Sequence, residues 1–236
     1  MNILVIGYKG EVGSAIFKLA QKKYGKTVVG LDKDGYSPNY VPCGFNVIHV
    51  CVPTAKVLDV MATNKLDRWS NTTSLVIIDS TISMDMVTKI GPAAYSPTRG
   101  KHPNIFNDLK KYPKWVASGQ KDMQNAAVRY YRSLGLKVKV AENVATLVLA
   151  KLLETSYYGW LIAFAQESHR LCDYYDANFD QAYTEWNKEK SKYWPAPVMY
   201  PGIIGGHCVI PNAKLLGGDI GNFIVKSNKL RASLGK

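Results

Sequence analysis

The chain has 236 residues but only four cysteines, Cys43, Cys51, Cys172 and Cys208. None forms a C-x-x-C pair and no Cys/His set has zinc-ligand spacing, so no metal site is expected. No apolar run approaches the roughly 18–20 residues of a membrane span, which argues against a membrane partner. The opening MNILVIG has no charged stretch before its apolar residues, so it reads as a first β-strand rather than a secretory leader. Free thiols in a reducing cytoplasm are the corresponding expectation. Arginine-rich runs, zinc fingers and aromatic RNP-type motifs are missing, and nucleic acid is disfavoured as a partner. Acidic residues are scarce: 18 Asp and Glu stand against 30 Lys and Arg, a net charge of +12.

What is present fits a globular protein. Hydrophobic residues make up 47% of the chain and charged residues 20%, which excludes disorder. The charge is segregated. Residues 99–139 carry ten basic and two acidic side chains, residues 140–185 two basic and seven acidic, and residues 186–236 eight basic and two acidic. Basic flanks suit a small anionic substrate; a merely solvated basic surface is the plain alternative.

Short apolar runs alternate with amphipathic stretches up to about residue 141. Strands are predicted at Asn2–Gly7, Thr27–Leu31, Phe45–Val52, Ser74–Asp79, Trp115–Ala117 and Val138–Val140, with helices at Gly13–Lys23 and Met123–Leu134. Strands separated by helical patterns mean βαβ units. The fold class is therefore α/β, a Rossmann-type, mostly parallel sheet over residues 1–141. Residues 142–236 form a second region. It opens with a long helix, Glu142–Tyr175, continues with a polar helix at Asn178–Lys192, and passes through a proline-rich stretch to PGIIGGHCVIPN. The last twenty residues read as one short helix and a loose tail. So long an apolar helix in so small a chain predicts a homodimer.

The segment Gly7-Tyr8-Lys9-Gly10-Glu11-Val12-Gly13 directly follows the first strand and opens the first helix. It matches the dinucleotide fingerprint G-x-G-x-x-G in context, with one extra residue between the first two glycines. Gly7 would allow the tight turn, Gly10 the approach of a pyrophosphate and Gly13 the close packing of helix on strand. The helix N-terminus would supply free N–H groups and a positive dipole end. Asp32 ends the second strand nineteen residues after Gly13. An acid there accepts ribose hydroxyls and repels a 2′-phosphate, which predicts NAD over NADP. Lys33 beside it weakens that exclusion.

Several segments, taken in order, resemble the nucleotide-sugar 6-dehydrogenases (UDP-glucose, GDP-mannose and UDP-N-acetylmannosamine types). Val50-Cys51-Val52-Pro53-Thr54 is similar to the family's I-C-V-x-T-P, and Asp79-Ser80-Thr81-Ile82 to its S-T-V. Tyr95-Ser96-Pro97 resembles the residues before its P-E-F. Ala150-Lys151-Leu152-Leu153-Glu154-Thr155 resembles its A-K-L-x-x-N, and Pro201–Cys208 is very close to its P-G-x-G-x-G-G-H-C. Thr98 stands where the family has the glutamate of P-E-F, and Thr155 where it has asparagine. Family members run to about 400 residues because a second α/β domain, which holds the nucleoside diphosphate, follows the cysteine. Here 28 residues follow Cys208, so the expectation is a short form without that domain.

The resemblance implies an NAD-dependent oxidation of an alcohol or aldehyde, with a sugar nucleotide or sugar phosphate as substrate. Cys208 is implied as the nucleophile that adds to an aldehyde, and Thr81 as a residue that helps position water. Val52, Pro53, Thr54 and Thr81 are implied to line the cofactor together with the glycine loop. Lys151, set among apolar residues, is either a snorkelling surface lysine or a cleft cation that would stabilise a developing alkoxide. Thr155 shares its helix face at i+4 and could donate a hydrogen bond in place of the family asparagine. Two other readings stay open: an NAD-binding sensor or subunit with lost catalysis, and a prephenate- or hydroxyacid-type dehydrogenase with no covalent step.

Overall fold

The computed structural model describes residues 1–37, 44–62, 66–100 and 103–235, with residues 71–73 described by backbone alone. Cys43 lies outside these residues; Cys51, Cys172 and Cys208 are free thiols. The chain divides into two compact units, Met1–Leu149 and Ala150–Lys236.

In the first unit the expected mostly parallel sheet is present. Its strands are β1 (Ile3–Ile6), β2 (Val28–Asp32), β3 (Gly35–Ser37), β4 (Phe45–Val50), β5 (Ser70–Ile78), β6 (Ala94–Tyr95), β7 (Lys114–Ser118) and β8 (Val138–Val140). They lie in the order β3-β2-β1-β4-β5-β6-β7-β8. The run β2-β1-β4-β5-β6 is parallel, while β3 pairs antiparallel with β2 and β7 antiparallel with β6. The central strand Ile3–Ile6 is buried along its whole length, as a strand covered on both faces must be. Helices α1 (Glu11–Tyr24), α2 (Thr54–Met61), α3 (Ile105–Lys111) and α4 (Lys121–Ser133) belong to this unit. On one face Ile16, Leu19 and Ala20 of α1 join Ala127 and Tyr131 of α4 over Val5 and Ile77. The strands β3 and β6, three and two residues long, are too short for apolar periodicity to announce them.

A charged cluster sits inside this unit. Asp79, at the end of β5, and Lys114, at the start of β7, are 2% and 3% exposed. The Lys114 ammonium donates to Asp79 Oδ1 at 2.7 Å, to the Ser96 carbonyl at 2.7 Å and to Thr98 Oγ1 at 3.0 Å. Tyr131 OH donates to Asp79 Oδ1 at 2.9 Å, and His49 Nδ1 lies 2.7 Å from Asp79 Oδ2. An ionised carboxylate only accepts, so Nδ1 carries a proton, and Nε2 lies 2.9 Å from Tyr130 OH. Burial alone would raise the Asp79 pKa. Lys114 and then His49 outweigh it and hold the carboxyl at about 2. The cluster ties β4, β5, β7 and α4 together at the sheet's functional end.

In the second unit α5 (Val144–Tyr174, beginning in the first) runs 31 residues, about 46 Å, close to the predicted Glu142–Tyr175. Gly159 is its one glycine, and a Cβ there would press into Val209 and Ile224. That close approach seats α7 (Val209–Leu216) and α8 (Gly218–Ser233) against α5. Before them, Asp180–Glu185 is π-helical and leads into α6 (Trp186–Lys190), in place of the single regular helix expected over Asn178–Lys192. The expected short C-terminal helix with a loose tail is corrected: α8 alone has sixteen residues. Its buried face is Gly221, Ile224, Ser227 and Arg231. Helical spacing is there, but two of the four are polar, which hid the stripe. Among the described residues no helix is long and apolar enough to cross a membrane.

Two outcomes follow from the cluster. Lys114→Met, which leaves the Asp79 carboxylate buried without its cation, should lower unfolding free energy by about 3–5 kcal/mol in urea titrations. Asp79's pKa is depressed on folding from 3.8 to about 2, so its contribution, about 2 kcal/mol, is present above pH 4 and lost as pH falls through 2. Wild-type stability should therefore decline more steeply between pH 4 and 2 than that of Asp79→Asn; equal slopes would overturn the assignment.

Candidate active site

The first unit places β1 between β2 and β4, the point where open α/β sheets form a crevice at the strands' carboxyl ends. The turn after β1 fills that point. Gly7 has φ +82°, and a Cβ on it would overlap the Cys51 carbonyl. A Cβ on Gly13 would overlap the Gly7 carbonyl. Both positions exclude any side chain, while Gly10 meets only the Gly7 carbonyl. No side chain caps α1 at Gly10, which suits its N-terminus to an anion.

The extra residue of the loop is accommodated at the end of β2. Lys9 donates its backbone N–H to Asp32 Oδ2 at 3.1 Å, and its ammonium pairs with Asp34. Lys33 donates its N–H to Asp32 Oδ1 at 2.9 Å. The Asp32 carboxylate is thus fixed beside the loop, each oxygen keeping acceptor capacity. The Tyr8 ring packs over Gly30 in β2 and against Phe17, centroids 5.3 Å apart. Val12 packs on the core and Glu11 occupies the first turn of α1.

Along the same edge, Ser80 Oγ donates to the Val52 carbonyl at 2.6 Å, and Thr54 Oγ1 to the Thr81 carbonyl at 2.8 Å. These two bonds join the segment Val52-Pro53-Thr54 after β4 to Thr81 after β5. The fold therefore brings the glycine turn, Asp32, Val52–Thr54 and Thr81 to one edge of the sheet. This set of open backbone and a fixed carboxylate is of the kind that suits a dinucleotide.

The second unit holds the other predicted residues. Gln166 of α5 donates to the Gly202 carbonyl at 2.7 Å. Asn228 of α8 accepts from the Ile204 N–H at 2.7 Å and donates back to its carbonyl at 3.2 Å. These amides pin the start of Pro201–Cys208 between two helices. The chain then runs through Gly205 and Gly206, where an added Cβ would meet nothing, and the exposed His207. Half-buried Cys208 is the N-cap residue of α7. On α5, Thr155 Oγ1 donates to the Lys151 carbonyl at 3.3 Å and accepts from Asn212 Nδ2 at 3.2 Å.

Asn212 escaped the sequence reasoning, although it lies four residues after Cys208, where a helix begun at the cysteine returns to the same face. Gln166, Asn228, His49 and Lys114 also escaped it. Their partners are tens of residues distant, and no local spacing signals them.

The fold is a Rossmann-type α/β sheet with a crevice beside β1. No protein-family model matches the chain. In sequence it is similar to the UDP-N-acetyl-D-mannosamine dehydrogenase of Pyrococcus horikoshii, 26% identical over 196 residues, covering 73% of this chain and 46% of that protein. The enzyme of the same name from Methanococcus vannielii is 26% identical over 183 residues, covering 68% and 41%. The chain thus spans less than half the length of these curated relatives. The solved UDP-D-ManNAc dehydrogenase of Pyrococcus horikoshii shares the fold with a TM-score of 0.83 at 20% identity, over 99% of this chain and 69% of that one. A 3-hydroxyisobutyrate dehydrogenase of Mycobacterium tuberculosis matches with a TM-score of 0.66 at 13% identity, over 99% and 93%. The resemblance to nucleotide-sugar dehydrogenases holds in both sequence and fold.

The two motif cysteines should differ in reactivity. Burial, and then the Asp79 charge, push the Cys51 thiol well above its ordinary pKa; its sulfur lies 3.9 Å from Asp79 Oδ2. Peptide-mapped alkylation by iodoacetamide at pH 7.5 should label Cys208 at least about tenfold faster than Cys51. Faster labelling of Cys51 would contradict the burial argument.

Proposed function

We propose that the chain is an NAD-dependent oxidoreductase of the nucleotide-sugar 6-dehydrogenase type, with the sheet crevice as cofactor site and Cys208 as nucleophile. What carries the reading is one pairing: a glycine turn and Asp32 at the crevice in the first unit, and a GGHC segment leading into α7 in the second. The names of the sequence relatives support a sugar-nucleotide substrate, and the basic flanks suit a sugar phosphate as the alternative.

In this reading Gly7, Gly10 and Gly13 leave the backbone open to the pyrophosphate, Asp32 takes the ribose hydroxyls, and Val52–Thr54 with Thr81 line the edge. Taking an alcohol to a carboxylate requires two hydride acceptances, the chemistry NAD supplies when bound. An unhydrated aldehyde has no tetrahedral carbon from which a second hydride can leave. Cys208 would provide one by adding its sulfur to the carbonyl carbon as a thiohemiacetal; departure of the second hydride from that carbon, with loss of the hydroxyl proton, would leave a thioester, which water hydrolyses to the acid and the free thiol. Lys151 would stabilise the alkoxide. Thr155, already bonded to the Lys151 carbonyl and to Asn212, would orient the helix surface beside it. A hydroxyacid-type oxidation without the covalent step is the second reading, supported by the match that covers 93% of the 3-hydroxyisobutyrate dehydrogenase chain.

We also propose a homodimer through α5. Leu153, Tyr157, Phe164 and Leu171 are exposed along it at spacings of four, seven and seven, one continuous apolar stripe of the kind that marks an association surface.

Calorimetric titration should show NAD bound at least about tenfold more tightly than NADP, with the preference lost in Asp32→Ala. NADH production against sugar nucleotides, sugar phosphates and hydroxyacids then separates the two readings. Cys208→Ser should keep NAD affinity and abolish acid formation from a sugar nucleotide. Full turnover of a hydroxyacid by the same variant would establish the second reading instead. Light scattering at micromolar concentration should give twice the chain mass, and Phe164→Glu should give the monomer.

A further inference from the structure

The second unit contains a cavity of about 590 Å³ that the proposed reaction does not use, a size typical of small-molecule sites. It lies between the end of α5, the π-helical stretch and the segment before Pro201. Arg231 of α8 lines it and is only 4% exposed. Its Nε and Nη1 have no hydrogen-bond partner. Burying a guanidinium with unpaired N–H groups is unfavourable unless something accepts from them. Among the described residues no carboxylate is within ion-pair distance of it.

A second guanidinium adds to the positive field. Arg170 pairs with Glu167 and bonds Ser227 Oγ at 3.3 Å, but its buried Nη1 is also unpartnered. Burial and then the Arg231 charge lower the Arg170 pKa. Glu167 answers only one of the two guanidinium groups.

The rest of the wall mixes polar side chains with apolar ones such as Phe179, Val198 and Met199. The His169 ring packs on Phe179 at 4.8 Å, and Phe179 stacks on Tyr183 at 5.1 Å. Tyr183 OH accepts from the Met199 N–H at 3.2 Å, holding the strap that closes one side. Two carboxylates face the same space. Asp173 Oδ2 lies 3.2 Å from His169 Nδ1, and Asp180 Oδ1 accepts from Thr184 Oγ1 at 3.4 Å. A wall with a cation at one place and acceptors at another favours a ligand carrying both an oxyanion and hydroxyl donors over a bare anion.

We propose that this cavity binds a small hydroxylated oxyanion, a phosphoryl or carboxylate group on a polyol or sugar, with the Arg231 guanidinium as its principal partner. The planar fork of arginine matches the paired oxygens of either group, and the aspartates and Asn178 accept and donate to the hydroxyls. The site lies wholly within the second unit and does not depend on the proposed NAD chemistry.

The test is thermal unfolding of the full chain at constant ionic strength, adjusted with chloride, in the presence of inorganic phosphate, glucose 1-phosphate, glucuronate or glucose. A ligand that binds only the folded state raises Tm with concentration. Glucose 1-phosphate or glucuronate should raise Tm saturably, inorganic phosphate more weakly and glucose not at all. The stronger of the first two identifies the phosphoryl or the carboxylate group. Arg231→Gln should weaken the effect at least tenfold, and Arg231→Lys, which keeps the charge without the fork, at least fivefold. Where Arg231→Gln does not fold, Thr184→Val, which also lines the cavity, should weaken it severalfold. NAD titration of the same variants should match wild type, so failure here is separable from failure of the cofactor reading. No rise above the chloride control, or equal rises in wild type and the folded variants, would overturn the proposal.

Discussion

The contact on which the cofactor edge depends is the buried ion pair between Asp79 and Lys114. A carboxylate almost wholly removed from water is tolerable only when its acceptor capacity is filled. Here Lys114 and Tyr131 fill one oxygen and His49 the other. Because those partners come from β7, α4 and β4, satisfying one carboxylate fixes the relative positions of three elements. Ser80 and Thr81 follow Asp79 directly in sequence, and their bonds to Val52 and Thr54 carry that rigidity to the edge of the crevice.

Lys114 also reaches past Asp79. Its contacts with the Ser96 carbonyl and Thr98 hydroxyl hold the Tyr95-Ser96-Pro97 segment, which the sequence comparison with P-E-F singled out. Thr98 offers Lys114 a neutral acceptor. A carboxylate at that position would bring a second negative charge to this buried cluster, where Asp79 already matches the lysine.

Much of the architecture was legible because it is local. The buried run Ile3–Ile6, the glycine turn after it and Asp32 nineteen residues beyond Gly13 are read from neighbours in the chain, and the fold sets them side by side. Other features were not legible, because their physics is long-range. Lys114 looks like any surface lysine until β7 is laid beside β6. Arg231 and Ser227 break the apolar pattern of α8, and only the fold shows that they face inward. Pairs such as Gln166 with Gly202, or Thr155 with Asn212, link sites 36 and 57 residues apart, beyond any motif's reach.

The two units solve the same physical problem in opposite ways. In the first, the buried cation and carboxylate complete each other, which leaves a stiff, self-sufficient platform at the sheet edge. In the second, amides pair fully around Gly202–Ile204, so the approach to Cys208 is equally firm, while the arginines at the far end of α5 are left with more donors than acceptors. Buried donors in excess are rare in folded proteins. Where they line a cavity, an external acceptor lowers the free energy of the folded state relative to the unfolded one, so the imbalance at Arg231 couples ligand binding to stability through a single side chain. The platform at Asp79 is complete without such a ligand, and its charge balance changes with pH through the Asp79 carboxyl.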